Sequence, residues 1–87
     1  MAIEQKRFVY VLRSSSEPDR YYVGTTSDVE GRLKWHNHRR AGHTAKYRPW
    51  QLSVVLEFPD QGRAKAFERY LKSGSGRAFA KRHFAVP

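Results

Sequence analysis

The chain has 87 residues, with 17 Lys and Arg against 8 Asp and Glu, a net charge of +9 and no cysteine. That length allows one domain, expected over residues 1–87, which on folding buries roughly 60–65% of its unfolded surface. The absence of cysteine excludes a disulfide framework and a thiolate metal site, and the positive field points to polyanions, nucleic acid above all, as partners, against a merely soluble basic surface or one that docks on acidic lipid.

Arg7-Phe8-Val9-Tyr10-Val11-Leu12 is apolar, β-branched and aromatic at consecutive positions, which predicts a strand covered on both faces. The run is too short to span a membrane and lacks the form of a secretory leader. We therefore expect a soluble, cytoplasmic protein with no membrane partner. The turn residues Ser14 to Asp19 lead into a second short strand, Tyr21 to Gly24, expected to pair antiparallel with the first. Ser27-Asp28-Val29-Glu30 has the form of a capping box, so a helix should start there, run to about Arg40 and stop at Gly42. Val29, Arg32, Leu33 and His36 would share one face of it.

Trp50 to Phe58 predicts a third strand, with Leu52, Val54, Val55, Leu56 and Phe58 apolar. Pro59 to Gly62 is a turn in which Asp60 can cap a helix from about Arg63 to Lys72, burying Ala64, Phe67 and Leu71. Ser73-Gly74-Ser75-Gly76 should interrupt that helix, and Arg77 to Phe84 should form a last one, with Phe79 and His83 on one side. The order is strand, strand, helix, strand, helix, helix.

Hydrolysis of a phosphodiester needs a group that deprotonates water, cations that neutralise the transition state, and help for the leaving oxygen. Glu68, at the edge of an apolar helix stripe, either binds a magnesium ion through its carboxylate or simply pairs with Lys72 four residues on. Arg32 and His36, one turn apart, either point together at a phosphate or are both solvated. Tyr10 and Tyr22, on neighbouring strands, either meet at a site or pack in the core. As a base, Tyr10 would need positive charge nearby to lower its pKa from the usual ~10. His36, His38 and His43 lack the spacing of a zinc site. Ser73 to Gly76 can cradle a phosphate or make an ordinary turn.

Phe8-Val9-Tyr10, with Phe in place of the usual Gly, Tyr22-Val23-Gly24, the Arg32-x-x-x-His36 helix and the late helical Glu68 together resemble the GIY-YIG nuclease family, in its stand-alone single-domain form. The resemblance runs from about Phe8 to Lys72. It implies an α+β fold, a small three-stranded antiparallel sheet flanked by helices. It also implies that Glu68 binds Mg2+ or Mn2+, Arg32 contacts the scissile phosphate, Tyr10 activates or orients water, and Tyr22 and His36 assist the phosphate or a proton relay. No small-molecule cofactor is implied.

The expected activity is metal-dependent cutting of DNA, structure- or end-dependent with weak sequence preference, in repair or processing. Arg39, Arg40, Lys46, Arg48, Lys72, Arg77, Lys81 and Arg82 are the candidate nucleic-acid contacts, which would position the strand without reading it. Two other readings compete: a binding module that keeps the fold without efficient chemistry, and an RNA-directed or partner-docking protein that stacks its aromatics.

Overall fold

The computed structural model describes residues 6–87, so the first five residues of the expected unit lie outside the described residues. Three strands, β1 (Arg7–Ser14), β2 (Tyr21–Thr26) and β3 (Trp50–Phe58), form an antiparallel sheet in the order β2-β1-β3. Three helices, α1 (Val29–His38), α2 (Gln61–Leu71) and α3 (Gly74–His83), flank it, and a 3-10 turn at Ala45–Tyr47 precedes β3. The expected order and the expected sheet are both present.

β1 is the central strand and is covered on both sides, as its unbroken apolar run requires. Alternate residues serve opposite faces. Val9 and Val11 join Val23, Ala64, Leu71, Ala80 and Val86 in one core, with Phe67 and Phe79 packed around it. Tyr10 and Leu12 join Tyr47 and Trp50 in a second, with Tyr22 and Leu33 beside them. Register sets the second face: Tyr10 lies opposite Gly24, and Leu12 opposite Tyr22. β3 is an edge strand, so its apolar Leu52 and Val55 stay 43% and 39% exposed.

All three helix starts differ from expectation, α2 beginning at Gln61 rather than at about Arg63. α1 is capped by Asp28, whose carboxylate accepts from the Gly31 N–H, rather than by Ser27. Thr26 explains the shift, because its hydroxyl accepts from the Asp28 N–H and donates to the Asp28 carbonyl, fixing Asp28 at the cap. α1 also ends at His38, before the expected Arg40, with Arg39 already extended. Ser73 to Gly76 is the start of α3: the Ser73 hydroxyl accepts from the Gly76 N–H. Gly76 is required there because a Cβ would strike the Tyr70 carbonyl of α2. Asp60 caps α2 as expected, accepting from Arg63 N–H at 2.8 Å.

The long segment between α1 and β3 is held by side chains. Asn37 donates to the Trp50 carbonyl at 3.0 Å and accepts from its N–H at 2.6 Å, so its amide pairs with the start of β3. The Trp50 indole N–H donates to the Thr44 carbonyl at 2.8 Å. These bonds satisfy backbone groups that a loop would otherwise bury unpaired, and they bring Thr44 back beneath α1.

Candidate active site

The tyrosine face of the sheet carries the polar groups. Tyr10 on β1 extends its ring over Gly24 on β2: a Cβ at Gly24 would lie 2.6 Å from the Tyr10 hydroxyl. This gives the Tyr-x-Gly motif a steric reason, since the glycine makes room for the phenol of the other motif. The Tyr10 hydroxyl lies 3.0 Å from His36 Nε2 across the gap to α1. Tyr22 closes the cluster, its ring centroid 4.7 Å from that of His36 and 6.1 Å from that of Tyr10.

His36 is 1% exposed and bonded at both nitrogens, because Nδ1 meets Thr44 Oγ1 at 3.0 Å. Arg39 also donates to Thr44 Oγ1, at 3.5 Å. We place the imidazole proton on Nδ1, which leaves Nε2 to accept from Tyr10 O–H. Burial, then the charges of Arg32 and Arg39, lower the His36 pKa from 6.5 to about 4, so the ring is neutral at pH 7. Nothing in the sequence marked Thr44, which stands in a loop with no periodicity. It reaches His36 only through the fold.

Tyr10 departs from the requirement set for a base. Burial first, then Tyr22, push its pKa well above the ordinary value, while Arg32 pulls the other way and Glu68 raises it again. The hydroxyl is therefore protonated in the resting protein, and Arg32 alone does not reverse this. The same balance places the charges of Arg32 and Glu68 within electrostatic reach of Tyr10. Residues from β1, β2, α1 and α2 thus converge on one phenol.

Glu68 is half-buried on α2, its side chain 21% exposed, and accepts from Lys72 Nζ at 2.9 Å. The simple helical pair weighed for it is thus present, yet its charge also acts on Tyr10. Among the described residues no three His, Cys, Asp or Glu converge as a cage. His36 is engaged at both nitrogens, and His38 Nδ1 lies 2.7 Å from the Lys34 carbonyl. That donor set suits a hard cation such as magnesium, which takes one or two carboxylates and fills its shell with water and substrate phosphate. It does not suit zinc.

The cationic residues divide into groups. Lys72 and Arg77 line a cleft of about 320 Å3 with Tyr21, Tyr22, Val23, His43 and Leu71, beside the cluster. Arg32 and Arg39 flank Trp35 on α1, their guanidinium carbons 4.8 and 4.2 Å from its ring centroid. Arg40, Lys46 and Arg48 are exposed after α1, Lys46 over the Tyr47 ring and Arg48 bonded to the Ala45 carbonyl. Lys81 is exposed on α3, while Arg82 lines a separate depression with Tyr70 and Phe79 and is not brought to the Tyr22 cleft.

The GIY-YIG catalytic domain matches residues 6–82. A Scheffersomyces stipitis protein named structure-specific endonuclease subunit SLX1 is 40% identical over 67 residues, covering 69% of this chain and 20% of its own length. A Malassezia globosa protein of the same name is 41% identical over 63 residues, covering 68% and 14%. The chain thus spans a fifth or less of those relatives. The solution structure of the UPF0213 protein BH0048 from Bacillus halodurans has a TM-score of 0.53 at 22% identity, covering 91% of this chain and 86% of that one, a likeness of fold. With that catalytic domain matched from the start of β1 almost to the end of α3, the chain belongs to the GIY-YIG family.

Proposed function

We propose that the protein is a metal-dependent DNA endonuclease whose site is formed by Tyr10, Tyr22, Arg32, His36 and Glu68. The observation that carries this reading is the buried Tyr10–His36 hydrogen bond, set within the fields of Arg32 and Glu68. The family, and the endonuclease function by which the SLX1 relatives are named, support it. The structure-specific cutting in the names of those relatives supports cutting set by DNA structure, and the same proposal takes in cutting at branches or ends, in repair or processing.

Arg32 would hold the scissile phosphate, its guanidinium matching two phosphate oxygens. Tyr10 would take a proton from the attacking water while its own phenolic proton passes to His36 Nε2, so the phenol need not ionise beforehand. An arriving phosphate would offset the charges of Arg32 and Arg39 that depress His36, and so strengthen it as acceptor when substrate is present. Thr44 would keep Nε2 aimed at Tyr10, and Tyr22 would wall the site and bond a phosphate oxygen. Glu68 would hold Mg2+ or Mn2+ in place of Lys72, and the ion would supply positive charge against the charge developing on the phosphate and the leaving oxygen. Lys72, once released, and Arg77 would hold the strand in the adjoining cleft.

The test is cleavage of branched and linear DNA by the full chain, with magnesium or with chelator, beside Glu68→Ala and Tyr10→Phe. Cutting that requires the metal and is lost in both variants is expected. Cutting indifferent to chelator and to both substitutions would remove the reading. DNA binding without cutting under any metal would favour the binding module, which the Lys72–Glu68 pair at the metal position also suits.

A further inference from the structure

Trp35 has no role in the chemistry above, yet it adjoins that chemistry directly. Its ring lies edge-on to His36, with centroids 4.9 Å apart. His36 is sealed, but the indole of its neighbour is 45% exposed. Arg32 precedes Trp35 by three residues on α1, Arg39 follows at the extended C-cap of the helix, and both guanidiniums lie against the ring. A depression of about 390 Å3 opens beside it, lined by Thr26, Ser27, Asp28, Gly31, Arg32 and Trp35. That volume is within the range of small-ligand pockets.

An exposed indole between two cations, next to an arginine assigned to a phosphate, has the chemistry of a nucleotide site. The cations attract the phosphates and, in swinging onto them, uncover a π-face of the ring for the base. Bases inside a duplex already stack on their neighbours and cannot present that face. We infer that Trp35 is a stacking platform for an unpaired DNA base adjoining the phosphate held by Arg32, so the preferred substrate carries a single-stranded nucleotide at the cut. This rests on the nuclease reading above and adds the class of DNA it selects.

The test has a binding arm that needs no metal. The chain has two tryptophans, and Trp50 is buried with its N–H bonded. In chelator, a single-stranded oligothymidine should quench the Trp35 emission, and a blunt duplex should quench it much less. Trp35→Phe, which retains only Trp50 emission, should show no quench. Trp35→Ala should bind the single strand about tenfold more weakly, with duplex binding little changed. With magnesium, the ratio of cutting on a splayed duplex to cutting on a blunt one should fall about tenfold in Trp35→Ala and recover in Trp35→Phe. Near-ultraviolet circular dichroism checks that each variant is folded.

An equal quench in Trp35→Phe would overturn the inference. So would an equal loss on splayed and blunt DNA, the result of a Trp35 that only props Arg32. A wild-type protein that cuts nothing would remove the nuclease reading, while a quench confined to Trp35 would still support the stacking.

Discussion

The two faces of the sheet share strand β1 but are built on opposite terms. The valine face is apolar at its centre: Val9, Val11, Val23, Ala64, Leu71 and Ala80 pack against one another. The tyrosine face lies open at Leu52 and Val55 of β3, but at its closed centre Tyr10, His36 and Thr44 form a chain of hydrogen bonds. Burial of apolar groups stabilises in proportion to area. A buried polar chain adds little net stability and costs much if one member is lost. The first face should therefore govern folding, and the second should govern proton position. Substitutions on the two faces should separate stability from activity.

The largest separation is expected at Glu68. Glu68→Ala should lower the cleavage rate about 10³-fold, roughly 4 kcal/mol of transition-state stabilisation, with little change in Tm. Steady-state cleavage beside thermal melting checks this, and a large loss of Tm would assign Glu68 to the fold.

Acid should act next, through His36. The folded pKa of about 4 lies below the ordinary 6.5. As pH falls through 6.5 the unfolded chain takes up a proton that the folded chain refuses until about pH 4. The stability contribution is therefore complete above pH 6.5 and lost between there and pH 4, up to about 3 kcal/mol. Urea midpoints at neutral and acid pH should show this slope, and His36→Gln should flatten it. An unchanged slope would place the proton-sensitive group elsewhere.

The opposite pattern is expected at the α2–α3 contact. Gly76→Ala drives a methyl into the Tyr70 carbonyl and should cost about 2–3 kcal/mol. Cleavage per folded molecule should survive, and a specific loss of activity at full stability would erase the contrast between the faces. The smallest effect belongs to Thr44→Val, which keeps the shape and strips His36 Nδ1 of its partner. It should cost about 1–2 kcal/mol in stability and shift the pH dependence of cleavage, measured as a rate profile.

Much of this was legible in the residues. The three strands follow from short apolar runs between turns, and Asp60 was readable as a cap because its bond is local. The Asp28 cap was missed because Thr26, outside the helix, decides which residue sits there. Gly74 and Gly76 read as helix breakers, since the close carbonyl of Tyr70 that demands Gly76 is a tertiary fact. Tyr10, Tyr22, Arg32, His36 and Glu68 were nameable from motif and spacing. Their neighbours Thr44 and Asn37 were not, because partners 8 and 13 residues away leave no local pattern. The protonated state of Tyr10 also escaped, since burial depends on the whole tyrosine face.

The proposed convergence of Glu68 with Tyr10, Tyr22 and His36 around one ion is most directly tested by paramagnetic broadening. Manganese titrated into isotope-labelled protein should broaden the ring signals of Tyr10, Tyr22 and His36, spare those of Phe79 and Phe84, and lose this selectivity in Glu68→Ala. Broadening that ignores Glu68→Ala, or that falls first on the valine face, would contradict it.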